Sequence, residues 1–548
     1  MKYDVVIVGS GAGGGASAWA LSREGKKVLV LEAGPHYEAA TDYKLHTSHW
    51  ESPFPYKTQH HTNYSVTGLQ TLDARNSDIR SWNHISGQLN PNAHRVSYGY
   101  HHVQGVGGSS LHFTGEAHRL NSRSMKLKSE YGVGADWPLT YDDLEPYYVT
   151  AENFVGVAGP RNTPFRPRST HYPETPHPLN YASQTLQSGF TALGMSTVPN
   201  SLAVLSSPRD GRGNCNHCGG CLRGCPIGDK GSIDITYLRA ADATNSCTIK
   251  ANCTVTRIET DSQDRVKGVH FVENGEHRYL ETPLLIIAAG AIQTPRLLLN
   301  SKDTSSPNGL CNESGEVGKN FMETLLWTST GQHKENLGSH RGLPVDMICW
   351  DYNAPDAIPD AIGGCRFGPA QGESDLVGPV NYAKRVIKGW GRSHKQNMRT
   401  QIGTVLSVAG ISESLPHPQS FIRLSAKKDK FGVPLAEIHS YVDDMAVRRI
   451  RFMANTARAV LKAAGVERII EEFSSYDIFS STHVFGTCRM GLNANDSVVN
   501  EWCQSHRWKN LYIIDASVFP SSGGGESPGL TIQALALRAA AHINGTKP

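Results

Sequence analysis

The chain has 548 residues, too many for one ordinary hydrophobic core and enough for two large ones. It is 39% hydrophobic and 19% charged, the make-up of a globular enzyme and not of a disordered or fibrous chain. The 53 basic and 50 acidic residues leave a net charge of +3, which gives no reason to propose nucleic acid or an anionic membrane as a partner. No run reaches the ~18 apolar residues of a membrane-spanning helix. "MKYDVVIVGSG" at the N-terminus enters a strand with no charged region, apolar stretch and cleavage site before it, so a signal of its own is not expected. Export alongside a signal-bearing partner stays open. Of the 11 cysteines, four cluster and seven scatter without regular spacing, which predicts a reducing, cytoplasmic compartment in place of a disulfide framework.

Taken in chain order, "YDVVIVGSGAGGGASAWALSREGKKVLVLEAG" (3–34) reads as strand, glycine turn, helix, strand. Gly9, Gly11 and Gly14 stand in G-x-G-x-x-G spacing: a tight turn, a close backbone approach to a pyrophosphate, and close helix–strand packing. The helix-like segment "ASAWALSREG" (16–25) would point its N-terminus at the phosphates. Glu32 ends the second strand, about 20 residues on, where a carboxylate accepts from a ribose hydroxyl. This segment alone leaves FAD and NAD both open. Residues 36–103 are rich in His, Asn, Ser and Tyr ("LHTSHW", "QHHTNY", "GYHHV") and read as a polar wall or lid in preference to a metal site.

"GVGGSSLHFTG" (105–115) is a second small-residue loop, in which Gly107, Gly108, Ser109 and Ser110 let the chain pass close to a flat ring or a phosphate. Residues 161–181 form a proline-rich connection. "GNCNHCGGCLRGCPIGDKG" (213–231) places Cys215, Cys218, Cys221 and Cys225 in C-x2-C-x2-C-x3-C-P, the bacterial ferredoxin spacing, which predicts three or four ligands to an Fe–S cluster. A purely structural cysteine turn is the alternative; zinc normally joins two such knuckles across a longer loop. "LLIIAAGAIQTPRLLLNS" (284–301) is a further strand–turn–helix unit, and residues 441–465 carry apolar positions at helical spacing up to Gly465. "NLYIIDASVFP" is a buried strand ending near Asp515 and Ala516, an acid and a small residue suited to a cofactor's polar chain.

With "DWPLTYDDLEPYYVTAENFVGVAG" (136–159) and "STHVFGTCRMG" (481–491), these stretches resemble the glucose–methanol–choline (GMC) oxidoreductases, FAD-dependent alcohol-oxidising enzymes, in that family's order from residue 3 to about 542. The resemblance implies FAD, with contacts at the glycine turn, at Ala12, Val255, Asp515 and Ala516. It implies that His483, in H-x-x-G-T, takes the alcohol proton while hydride leaves the same carbon. Ser527 in "GESPGLTIQALALRAA" matches a second catalytic position that is Asn or His in the family, with Glu526 beside it as a group for a cationic substrate. His112 matches a histidine that sugar-oxidising members join covalently to the flavin.

The expected fold is α/β: a Rossmann-like FAD domain of discontinuous segments (1–160, 241–325, 476–548), a connection with the cysteines (161–240), and an α+β substrate domain with a mixed or antiparallel sheet (326–475). The expected activity is dehydrogenation of a primary or secondary hydroxyl of a sugar, cyclitol or amino sugar. Electrons would leave through the Fe–S cluster to an acceptor protein or small subunit. An O2-using oxidase of aliphatic or aromatic alcohols, and a lyase on the same fold, are the alternatives.

Overall fold

The computed structural model describes residues 2–43, 65–88, 92–100, 102–161, 163, 166–372 and 374–546. The histidine-bearing stretches at 45–50 and 59–64 lie outside the described residues. Val5–Val8 is a strand buried along its whole length, as its unbroken β-branched run dictates. It is the centre of a five-stranded parallel sheet in the order Leu511–Ile513, Leu285–Ile287, Val5–Val8, Val28–Leu31, Cys247–Lys250. Val6 pairs with Leu285 on one side and with Leu29 on the other. The chain therefore leaves the central strand in both directions, and the crevice at its carboxyl end is where such sheets bind ligands.

The helix after the glycine turn runs Ala12–Ser22, so it begins inside the glycine run, earlier than the alanine-rich stretch suggests. It packs on the C-terminal helix Gly529–Asn544, which in turn packs on Tyr141–Val155. A three-stranded antiparallel meander, Cys253–Thr260, Val266–Glu273 and Glu276–Glu281, turns at Asn274–Gly275. Both turn residues have positive φ, which a two-residue hairpin of this twist requires.

The second large sheet has six strands in the order Cys365–Pro369, Val405–Ser412, Leu325–His333, Val466–Ser474, Trp82–Asn83, Gly87–Gln88. Every pairing in it is antiparallel. Its last two strands come from the stretch read as a polar wall. The helix predicted over 441–465 is Asp444–Ala463, capped by Asp443, which accepts from Ala446 N at 2.7 Å. It lays Val447, Ile450, Met453, Ala457, Val460 and Leu461 on this sheet. One core thus surrounds the parallel sheet and a second surrounds the antiparallel one.

Candidate active site

Between the two sheets lies a cavity of about 980 Å3, walled by Val8, Leu31 and Ala288 of the parallel sheet and by Leu326, Thr328 and Phe473 of the antiparallel one. At its floor the turn Gly9–Gly14 is forced into glycine. A Cβ on Gly9 (φ +95°) would lie 2.5 Å from Ala288 O, and one on Gly14 would lie 1.9 Å from Gly9 O. Gly11 differs: its nearest neighbour would be Gly108 Cα at 3.9 Å, so its bareness keeps the cavity floor open. No side chain caps the helix that starts there, and its first residues, Ala12 and Gly13, line the cavity.

Two buried carboxylates stand beside this floor. Glu32 accepts from Ser10 N at 3.0 Å, Ser10 Oγ at 2.7 Å and Gly34 N at 2.8 Å, and burial raises its pKa against those hydrogen bonds. Asp515 accepts from Gly290 N, Thr294 Oγ1 and Ser517 N, tying the third strand–turn–helix unit to the last strand. It lies two residues beyond the strand end, with burial again raising its pKa. A glycine cradle that a Cβ would fill, uncapped helix N–H groups and two partly engaged carboxylates fit a dinucleotide such as FAD.

Of the sequence-predicted residues, Gly9, Gly11, Ala12, Glu32, Gly108, Ser109, Ser110, His112, Val255, Asp515, Ala516, His483 and Ser527 all line this one cavity. Gly14 and Gly107 act behind it. Gly107 (φ +109°) shapes the loop and donates from N to Ser10 Oγ at 3.1 Å. Ser110 Oγ bridges Gly107 O and Ile233 N, so its hydroxyl holds the loop together.

His483 is half-buried, and among the described residues no group hydrogen-bonds its imidazole. Burial lowers its pKa to about 4, with Glu116 pulling upward and Arg366 downward. The ring is therefore neutral at physiological pH. Glu526 does not reach the cavity. Its Oε1 takes a buried salt bridge from Arg166 and an N–H from Asn121, so the expectation that it meets a cationic substrate group gives way to an internal ion pair.

The carboxylate that does reach the cavity beside Ser527 is Glu116, with Arg366, His118 and Asn200 around it. Glu116 and His118 follow the loop 105–115 immediately, as E-x-H, so a faint local signal existed. Arg366, 250 residues away, carried none.

Cys215, Cys218, Cys221 and Cys225 line a second cavity of about 440 Å3 together with Asp229 and Lys230. Among the described residues no three His, Cys, Asp or Glu side chains converge in metal-ligand geometry, so the thiols share a space without meeting. Burial raises the pKa of Cys215 and Cys225 and pushes Cys221 up to about 12, so these three are protonated thiols at physiological pH. The cavities adjoin across a single peptide link at two places: Cys221 lines this one and Leu222 the other, and Lys230 and Gly231 repeat the division. Buried Lys230 donates to Leu111 O, Phe113 O and Cys221 O at 3.1, 3.0 and 2.8 Å, and His112 Nδ1–H donates to Leu222 O at 2.9 Å. The cysteine loop and the loop 105–115 are thus stitched together.

Family profiles described as GMC oxidoreductase match residues 130–325 and 416–536, and a NAD(P)-binding Rossmann-like domain matches residues 7–67. The chain is 29% identical to the fructose dehydrogenase large subunit of Gluconobacter japonicus, over 98% of this chain and 97% of that one. It is 25% identical to 2-methyl-1,2-propanediol dehydrogenase of Mycolicibacterium austroafricanum, over 99% and 95%. The fold matches that of pyridoxine 4-oxidase from Mesorbium loti, with a TM-score of 0.63 at 17% identity over 100% of both chains.

Proposed function

Because the chain belongs to the GMC oxidoreductases, which act on CH–OH groups and whose fold implies FAD, we propose that it dehydrogenates a primary or secondary hydroxyl of a polar substrate such as a sugar, cyclitol or amino sugar. One observation carries this reading: His483 and Ser527 face the same cavity as the glycine cradle. FAD, when bound, supplies the hydride acceptor. His483 then acts as general base on the alcohol proton, its imidazole kept neutral by burial and unengaged by any described side chain. Serine, threonine and carboxylate groups on the wall from residues 324 to 385 (Thr328, Ser374 and Asp375 among them) suit a hydroxyl-rich substrate better than a fatty one. The relatives named for fructose and for a propanediol agree with that preference.

We carry two finer assignments with it. The four thiols would hold an Fe–S cluster, a one-electron carrier one peptide link away from the flavin cavity, serving an acceptor protein or partner subunit. His112 would tether the flavin: its Nδ1–H is committed to Leu222 O, which leaves the neutral ring's lone pair on Nε2. Eleven unpaired thiols support a reducing, cytoplasmic setting.

The test is anaerobic addition of a panel of polyols, sugars and simple alcohols to the purified yellow protein. Bleaching of the flavin by a polyol is the expected result; a flavin that stays oxidised while the alcohol is consumed would instead mark a lyase. Iron and acid-labile sulfide are expected in anaerobically purified protein, and their absence would leave an oxidase or an artificial-acceptor dehydrogenase. Yellow colour retained in an acid-precipitated pellet supports the tether, and colour wholly in the supernatant removes it.

A further inference from the structure

Ser527 occupies the second catalytic position, and its hydroxyl proton is already committed. Ser527 Oγ lies 2.8 Å from Glu116 Oε2. Donors surround that carboxylate: Arg366 Nη2 at 2.7 Å from Oε2, Asn200 Nδ2 at 3.0 Å from Oε1, and His118 Nε2 at 3.8 Å from Oε1. A carboxylate met only by donors is ionised and can only accept, so Ser527 must donate to it. Burial would raise the Glu116 pKa, but Arg366 above all holds it down to about 2.

The neighbours fix the rest. Asn200 accepts from Ser201 N at 2.9 Å and uses its amide N on Glu116 and Val345 O, so its Oδ1 is the acceptor facing His118 Nε2 at 2.8 Å. His118 therefore carries its proton on Nε2, and its Nδ1 accepts from Ser527 N at 3.2 Å. Arg366 Nε donates to Gly525 O at 2.7 Å, two residues before Ser527. The serine proton and the His118 tautomer are thereby fixed, and Ser527 can offer the cavity only a lone pair.

This has a consequence for the substrate, granted the alcohol oxidation proposed above. The reacting hydroxyl has one proton, and His483 takes it. A second acceptor beside His483 is satisfied only by a second donor. We infer that the Glu116–Ser527 pair is a donor-reading subsite that accepts a hydrogen bond from a hydroxyl or ammonium group on a carbon neighbouring the carbinol, so that the enzyme selects vicinal diols and amino alcohols over simple alcohols. Glu116 is a positioning residue in this scheme: it sets which way the serine proton points.

The experiment compares anaerobic flavin reduction by 1,2-propanediol, 1-propanol and 2-methoxy-1-propanol, the last keeping the second oxygen as an acceptor, one carbon larger and without the second donor. In the wild-type holoenzyme the diol is expected to reduce flavin about tenfold more efficiently than either analogue, the discrimination typical of a lost hydrogen bond in a charge-backed site. Ser527→Ala should bring the three within about threefold of one another. In Glu116→Gln the amide oxygen has to stay at the Oε2 position, where Arg366 Nη2 donates, so Ser527 still donates to it but without a charge behind the bond, and the diol should keep its lead over both analogues by a smaller margin, a graded change in preference that lost packing does not produce. Equal efficiencies in the wild type, or an unchanged ratio in Ser527→Ala, would overturn the subsite, and Ser527→Ala decides alone if Glu116→Gln does not fold. Reduction by all three compounds alike removes only the donor preference, whereas reduction by none, across the wider panel, removes the alcohol oxidation and this inference with it.

Discussion

His483 owes its usefulness as a base to where it is buried. With its pKa lowered to about 4, chiefly by loss of water, the imidazole is neutral across the physiological range and protonates only in strong acid. The acid limb of a kcat/KM profile is therefore expected below about pH 5, and a limb at the ordinary histidine value of 6.5 would contradict the assignment. Glu413 shows the opposite shift. Burial, with the Glu526 carboxylate nearby, pushes it up to about 8; its Oε1 accepts from Gly523 N at 3.1 Å and its Oε2 has no partner among the described residues. Its folded pKa lies above the ordinary 4.5, so between roughly pH 4.5 and 8 the folded state keeps a proton that the unfolded state releases. Stability from this group is full below 4.5 and is lost as pH rises to 8, by at most ~1.4 kcal/mol per pH unit. Denaturant titrations at pH 5 and pH 8 should show a smaller loss in Glu413→Gln than in the wild type; equal losses would contradict the shift.

The strand–turn–helix at the N-terminus was readable because all its determinants are local: an apolar strand, glycines at fixed offsets and an acid after the second strand. Its glycines nonetheless differ in kind. A methyl group on Gly14 meets backbone at 1.9 Å, so Gly14→Ala should unseat the turn and yield little folded protein. Gly11→Ala has room at 3.9 Å and should fold with near wild-type far-UV circular dichroism, yet lose FAD where the cofactor backbone must approach. Full flavin occupancy in Gly11→Ala would contradict the placement of the pyrophosphate. The antiparallel sheet was legible only as a class. Next to its edge strand, Trp82 pairs with Glu472, a contact 390 residues apart that no local period encodes. The same reason hid Arg366, whose partner Glu116 lies 250 residues away. Glu526 misled because adjacency in sequence says nothing of direction: Ser527 faces the cavity and Glu526 turns to Arg166.

Two cores, one around each sheet, enclose a single large cavity, and the cysteine loop walls it off from a second, smaller one. Under the function proposed above, the cofactor lies against the parallel sheet, with His483 and Ser527 on the wall of the same cavity. Among the described residues no helix is long and apolar enough to cross a membrane. The central claim is that this cavity holds FAD with the His483 imidazole directed at a carbinol. It is tested most directly by the single-turnover rate at which a diol bleaches the flavin anaerobically in wild type and in His483→Ala. The account predicts stoichiometric FAD in both proteins and a rate lower by about 10²- to 10⁴-fold in the variant. Bleaching at the wild-type rate in His483→Ala, or a wild-type protein that neither carries nor takes up flavin, would contradict it.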